Sequence, residues 1–257
     1  MVRASSATTI GPGGTSLSAV TTELVRDTAI FEVVPGGMST SDGRAAEQAV
    51  RLPFEYGGRE SRLLVEQSGG KISRISITAL PFAHGRVATS NGDMFIVGSN
   101  DTYELHLVDG AGVVRTIVRR PDVVPEPVTD ELLDADYDHR MELRRARGSE
   151  VSADDAAAWR RANRSYERVA SVPAYETVVG ARDGGFWVKD FVVPGRSAAT
   201  ERWSIYGPDG NMRGVIQIPE GFRLMYIDDD VVVGVMRDDL DVEYVELFRN
   251  PPSPRIV

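Results

Sequence analysis

The sequence predicts an all-β fold, a β-propeller of four-stranded antiparallel blades with one helical insertion. Three observations support this fold class: a repeat of roughly 40 residues, glycine-containing turns between the apolar segments of each repeat, and a central stretch with helical spacing. We expect residues 1 to 257 to form a single domain in which about four to five blades can be counted.

The repeat is clearest in two pairs of segments. Asn91 to Val97 aligns with Asp183 to Lys189, and each combines a polar turn containing glycine with an apolar strand. Leu105 to Gly112 aligns with Trp203 to Gly210, and each of these ends in a glycine turn. The strand that closes each unit carries an arginine at the same place, namely Arg115 and Arg213. Because one such sheet cannot bury both of its faces, copies are expected to stack around an axis.

Weaker copies of the unit flank these two. Arg62 to Ile77 is predicted to form two strands joined by a turn at Ser68-Gly69-Gly70, and Phe222 to Phe248 is predicted to form three strands. The last unit therefore lacks one strand. We expect either Ala19 to Val25 or Thr28 to Val34 to complete it, because such closure removes an exposed strand edge.

The helical insertion is predicted over residues 129 to 168. Its first helix begins at Thr129 and ends at Gly148, and the second begins at Ser152, with Asp155 three residues later as in a capping box. We interpret the insertion as a lid or partner-binding arm, or as an ordinary solvated helix pair. The arginines that we expect it to expose are Arg144, Arg145, Arg147, Arg160, Arg161 and Arg164.

Composition excludes several classes of protein. The net charge of -9 argues against a nucleic-acid surface, which needs clustered positive charge. The absence of cysteine excludes disulfides, thiolate nucleophiles and cysteine-ligated metals. No segment has the length of apolar sequence that a membrane span needs, and the beginning of the chain lacks the pattern of a signal peptide.

Several segments resemble the bacterial six-bladed β-propellers related to NHL-type propellers. The similar segments are Leu80-Pro81-Phe82, Asp101 to Leu105, Val113 to Arg120, Pro127-Val128-Thr129, Pro208-Asp209-Gly210, Pro219 to Arg223 and Val232 to Glu243. The resemblance covers residues 80 to 249 and implies a propeller fold and an extracytoplasmic location. Because six full blades need a longer chain, it implies a shortened or N-terminally clipped member.

Candidate chemistry is sparse. His84, His106 and His139 do not have the spacing of metal ligands. The acidic clusters at residues 228 to 230 and 238 to 243 are interpreted as turns or as calcium ligands. Ser68-Gly69-Gly70-Lys71 matches the pattern of serine acyl-enzymes, but it falls in a predicted β-turn instead of at a helix start.

Aromatic and basic residues in the last two repeats form the candidate binding site. They are expected to line a groove for a peptide or carbohydrate, with packing between sheets as the alternative. These residues are Arg182, Trp187, Lys189, Trp203 and Tyr226.

No concentrated set of catalytic residues is present, which favours a non-enzymatic binding or scaffold propeller. We expect it to bind a protein or peptide partner through one face and the helical insertion, as a monomer without a cofactor. The alternative is a propeller hydrolase or lyase of the lactonase type, with a divalent cation such as calcium held by carboxylates at the axis.

Overall fold

The structure, a computed structural model, describes the backbone of six strands between residues 7 and 79. It also describes residues 79 to 249, apart from 149, 166, 167, 197, 198, 239 and 241. The strands of the first part are β1 (Ala7–Ile10), β2 (Ser16–Thr22), β3 (Thr28–Val34), β4 (Val50–Gly57), β5 (Ser61–Ser68) and β6 (Lys71–Ala79). Those of the second part are β7 (Arg86–Ser90), β8 (Phe95–Ser99), β9 (Glu104–Val108), β10 (Val114–Arg119), β11 (Thr177–Gly180), β12 (Phe186–Lys189), β13 (Thr200–Tyr206), β14 (Met212–Pro219), β15 (Arg223–Ile227), β16 (Val231–Arg237) and β17 (Glu243–Arg249). The two helices are α1 (Asp130–Ala146) and α2 (Ala153–Ser165).

The fold is mostly β, as predicted, and its sheets are antiparallel. Sheet I contains β1 to β4, sheet II β7 to β10, sheet III β11 to β14 and sheet IV β15 to β17, each with its strands in chain order. Strands β5 and β6 form a separate antiparallel pair in which Ser68 pairs with Lys71, so the two strands predicted here are confirmed, whereas residues 69 and 70 of the predicted turn lie outside the described residues.

Sheets II, III and IV lie side by side through their first strands. Strand β11 contacts both β7 and β15, and β1 approaches β7. The amide of Asn91, in the turn after β7, donates to the carbonyl of Gly184 in the turn after β11. At the opposite end of the strands, the amide of Asn100 donates to the carbonyl of Tyr175 at 2.9 Å. Equivalent ends of neighbouring sheets therefore meet.

Two apolar clusters fill the spaces between these sheets. The cluster between sheets II and III includes Leu105 and Phe186, and the cluster between sheets III and IV includes Trp203 and Ile227. The side chains of β8 and β12 are almost wholly buried, whereas in the outer strand β10 exposed positions alternate with half-buried ones and with the buried Val118. This pattern is the one expected when sheets pack face to face.

The repeat is confirmed by strand register, with one correction. Leu105 and Trp203 occupy equivalent places in sheets II and III, as do Arg115 and Arg213. The predicted alignment of Asn91 to Val97 with Asp183 to Lys189 is wrong by one residue in the strands. The turn between β11 and β12 is one residue longer than the turn between β7 and β8, so Lys189 is equivalent to Gly98 and not to Val97.

The helical insertion forms as predicted. The hydroxyl of Thr129 caps α1 by accepting the amide N–H of Leu132, and Gly148 follows the helix with φ of 77°. Leu132 and Leu133 of α1 pack against Phe82 in a third apolar cluster, which fixes the insertion to the sheets. Neither helix is long and apolar enough to cross a membrane, within the residues that the structure describes.

The predicted closure of the last sheet is wrong. Residues 19 to 22 of the first candidate segment lie in β2 and the second segment forms β3, and these strands pair with each other inside sheet I; residues 23 to 25 lie outside the described residues. Strands β2 and β3 belong to sheet I because their antiparallel neighbours are close to them in sequence. Pairing with a nearby strand costs less chain entropy than pairing with a strand at the other end of the chain. Sheet IV consequently has three strands among the described residues.

The connections between strands lie at two opposite ends of the sheets. In an antiparallel meander successive connections alternate between the ends. The turn face, as we name it, carries the turns that follow β7, β9, β11, β13 and β15. The insertion face carries the connections that follow β8, β10, β12, β14 and β16, and the helices belong to the one after β10.

Candidate binding cleft

A cleft of about 220 Å³, lined by both charged and apolar residues, lies on the insertion face, between α1 and sheet III. The helix contributes His139, and the sheet and its connections contribute the remaining side chains. These are Glu176, Lys189, Val192, Val193, Pro194, Gly195, Thr200, Glu201 and Glu220. Of the residues predicted to form a binding site, Lys189 lies in this cleft.

Lys189 is held between two carboxylates. Its ammonium nitrogen donates to Glu176 Oε1 at 2.9 Å and to Glu201 Oε1 at 2.9 Å. Burial favours the neutral amine, but the hydrogen bonds to Glu201 and Glu176 outweigh it, so the pKa of Lys189 lies above its ordinary value. The side chain is therefore a fixed positive charge, unlike a catalytic lysine, whose pKa is lowered so that the free amine is available.

Strand positions explain how these groups meet. Lys189 ends β12, while Glu201 stands near the start of the adjacent β13, so both side chains lie at the same end of sheet III. The backbone N–H of Glu176, just before β11, donates to the carbonyl of Lys189 at 2.8 Å. In sheet II the place of Lys189 is taken by Gly98, where a Cβ would meet the Tyr175 hydroxyl at 2.9 Å. The charge at this point of the repeat is thus present in sheet III and absent from sheet II.

The cleft carries more negative than positive charge. Glu176 and Glu201 face one lysine, Glu220 also lines the cleft, and the His139 ring adds a polar group from the helix. A site with this surplus of carboxylates favours a cationic group such as an ammonium or guanidinium. Sequence reasoning identified Lys189 but missed the three glutamates, because residues so far apart along the chain show no common spacing.

Trp187 and Trp203 are not open groove residues. They are 3% and 2% exposed and pack between sheets III and IV. The alternative interpretation as core packing is the one that the structure supports for both. Trp187 also borders an apolar groove at the outer side of these sheets.

Arg182 and Tyr226 lie on the turn face, away from Lys189. The Tyr226 hydroxyl donates to Asp228 Oδ2 at 2.6 Å, and this hydrogen bond raises the pKa of Tyr226 and lowers that of Asp228. The Arg182 backbone N–H donates to the carbonyl of Ile227 at 3.0 Å, which joins the turns of sheets III and IV. The structure thus distributes the predicted site over two faces and the interior.

Asp228 and Asp238 of the acidic clusters cap local turns. Asp228 accepts the N–H of Asp229 at 2.6 Å, and Asp238 accepts the N–H groups of Leu240 and Val242 at 2.9 Å. These bonds match the interpretation as turns. Among the residues described, no group of three or more histidine, aspartate or glutamate side chains is placed to hold a metal ion.

The three histidines lie apart. His84 contacts the carbonyl of Ser171 at 3.0 Å, and His106 contacts Glu104 at 2.8 Å. Only His139 borders the cleft. The first two therefore have partners within the fold.

Part of the arginine-rich surface of the insertion is used to join its two helices. Arg160 pairs with Asp138, Arg164 with Asp134, and Arg168 with Asp130. The Tyr137 hydroxyl adds a bond to the carbonyl of Ala156 at 2.6 Å. The exposed arginines of the insertion outside this ladder, among the described residues, are Arg140, Arg144, Arg145, Arg147 and Arg161.

No protein-family model matches the sequence, and no curated protein matches it. A solved structure from a structural and mechanistic study of two prolyl endopeptidases is similar to this chain, at 12% identity and a TM-score of 0.37. The match covers 96% of this chain and 34% of that one, so this chain spans about a third of its length. At this identity and TM-score we infer neither fold nor function from the likeness.

Proposed function

We propose that the chain is a β-propeller that binds a protein or peptide partner through its insertion face, without catalysis. The propeller is supported by the arrangement of the first strands, in which β11 lies between β7 and β15. First strands lie next to one another in a propeller because they surround the axis.

The blades of this propeller are sheets I to IV, with the pair of strands β5 and β6 as a partial blade. This assignment agrees with the predicted four to five blades. We also propose that this chain is related to the six-bladed NHL-like propellers and, like many of them, has an extracytoplasmic location. This relationship is supported by the sequence segments at the blade borders.

The observation that carries the binding function is the cleft between α1 and sheet III. Two carboxylates, those of Glu176 and Glu201, share the single positive charge of Lys189, so one negative charge is left to attract a positive group from outside. We therefore propose that the bound segment of the partner presents a lysine or arginine side chain to the cleft.

A displayed library of random peptides, selected on the immobilised chain, tests this function. We expect selected peptides to be enriched in basic residues. By calorimetry, Glu176→Gln should weaken binding of a selected peptide by about tenfold, because it removes one carboxylate from a charge pair. Glu142→Gln, an exposed change on α1 outside the cleft, is the matched control and should leave affinity unchanged.

Two results would contradict the proposal. One is a selection that enriches no basic peptides. The other is equal binding by the two variants, which would place the interaction outside the cleft. No observation among the described residues favours the alternative hydrolase or lyase, since it needs carboxylates gathered around an ion or an activated nucleophile.

A further inference from the structure

Sheet IV ends in an apolar strand edge. Sheets II and III have four strands, whereas β17 is the last of three in sheet IV among the described residues. Val245 and Leu247 on β17 are 77% and 64% exposed, and Tyr244 and Phe248 are about half exposed. An apolar edge with unpaired N–H and C=O groups is a template for another strand.

A groove lies beside the place that a fourth strand of sheet IV would occupy. It has a volume of about 180 Å³ and lies between β14, the fourth strand of sheet III, and the third strand of sheet IV. The residues lining it are mostly apolar, including Trp187, Ile216, Ile218, Phe222 and Phe248. In a complete sheet IV, a fourth strand would face β14 across this space.

We propose that a second copy of this chain fills this place, by antiparallel pairing of β17 with β17 of the other copy. Antiparallel pairing continues the pattern by which β17 already pairs with β16. It also creates a two-fold axis, the commonest symmetry of protein dimers. The resulting sheet runs without interruption from one molecule into the other, by the mode of strand addition.

The sequence of β17 is complementary to itself in the register centred on Glu246. In this register Glu243 faces Arg249 of the second copy, Tyr244 faces Phe248, and Val245 faces Leu247. Opposite charges and aromatic pairs directly across antiparallel strands both stabilise a sheet. Each pair occurs twice because of the two-fold axis.

On both faces of the sheet formed by the two β17 strands, the side chains of the second copy would lie beside groups that they can contact favourably. Phe248 lines the groove and, by register, lies on the same face of sheet IV as Val232. Tyr244 of the second copy, opposite Phe248, therefore lies beside the groove. Glu243 already contacts Arg237 at 2.8 Å, and Arg249 of the second copy supplies a further cation.

The same register has one unfavourable pair. Glu246 lies opposite its own copy at the axis, and like charges directly opposite are destabilising. This feature makes the register testable, because replacing the charge at this one residue should change the association in a defined direction.

Sedimentation velocity of the full chain over a wide range of concentrations is the first experiment. We expect reversible dimerisation. Val245→Lys places a charge opposite Leu247 and should weaken it by about tenfold or more. Val124→Lys is the matched control, since Val124 is 83% exposed and lies outside sheet IV. It should dimerise like the parent chain.

Substitutions at Glu246 test the register. Glu246→Gln should tighten the dimer by roughly two- to fivefold, because the like-charge pair is removed. A mixture of the parent chain with Glu246→Arg should form more mixed dimer than random association gives, because glutamate then faces arginine.

Three outcomes would overturn the proposal. The first is a parent chain that stays monomeric at every concentration. The second is a Val245→Lys variant that dimerises as well as Val124→Lys. The third is a set of Glu246 variants that neither tighten the dimer nor favour mixed dimers. Circular dichroism of each variant checks its folding. If Val245→Lys does not fold, the mixed-dimer result alone decides.

Discussion

At the scale of single residues, the large aromatic side chains have different environments. Trp203 is 2% exposed between sheets III and IV, whereas Tyr226 is 37% exposed on the turn face. Sequence alone could not separate them, because both stand in predicted strands and their burial depends on which sheet packs against each strand.

Their substitutions should therefore differ in cost. We expect Trp203→Ala to lower the free energy of unfolding by about 3 to 5 kcal/mol, since it leaves a large cavity in a packed interior. Tyr226→Ala should cost less than about 1 kcal/mol. Denaturant unfolding of the two variants measures both, and similar losses would mean that Trp203 is not a core residue.

Lys189 supports the cleft electrostatically. Lys189→Met leaves two carboxylates without their cation, and Glu201 is largely buried, so we expect a loss of about 3 kcal/mol at neutral pH. Arg119→Met, which breaks an exposed pair with Glu104, is the control and should cost less than about 1 kcal/mol.

The pH dependence of this loss has a definite sign. The pKa of Lys189 is raised in the folded chain, so its contribution is complete below the ordinary lysine pKa of about 10.4 and is lost as pH rises through the folded value. The difference between Lys189→Met and the parent chain should narrow in that alkaline range. A difference that stays constant there would show that Lys189 acts by packing instead of charge.

At the scale of elements, close approach of strands sets the arrangement of the sheets. At Gly180 in β11, a Cβ would overlap the backbone carbonyl of Ser90 at the end of β7. This contact lies where sheets II and III join, so only glycine fits without moving one strand.

Gly180→Ala should consequently lower the free energy of unfolding by more than about 2 kcal/mol. Gly85→Ala is the control, because a Cβ at Gly85 meets nothing within 4 Å. Thermal unfolding compares the two. Equal melting temperatures would show that β7 and β11 separate without cost.

The elements themselves were well predicted. The capping residue Thr129 and the terminating Gly148 are local signals, and both mark the ends of α1 in the structure. The repeat was misaligned by one residue only at the turn after β11, since the extra residue there has no signature distinguishable from the polar turn of sheet II. Local sequence signals therefore predict the presence of strands and turns more accurately than the number of residues in a turn.

At the scale of the whole molecule, we expect stability to be independent of divalent cations. The structure shows no cluster of three metal-binding side chains among the residues that it describes, and Asp228 and Asp238 already cap turns. Melting temperature in EDTA, and then with millimolar calcium, magnesium, manganese or zinc, measures this. A rise with one ion would indicate a site in the folded chain and support the hydrolase or lyase alternative.

The association state is also a property of the whole molecule. The sequence led us to expect a monomer, and the proposed pairing through β17 replaces that expectation with a dimer. The change comes from the pairing of the N-terminal strands within sheet I, which leaves the edge of sheet IV open among the described residues.

The sequence by itself determined the mostly β character of the fold, the repeating unit and the limits of the insertion, because periodicity, turn residues and helix caps are short-range properties. Only the tertiary structure decided which aromatics are buried, which glutamates surround Lys189, and which strand completes which sheet. All three features depend on contacts between residues that are distant in the chain. Packing and chain entropy decide which of these contacts form, and such contacts have no fixed spacing in the sequence.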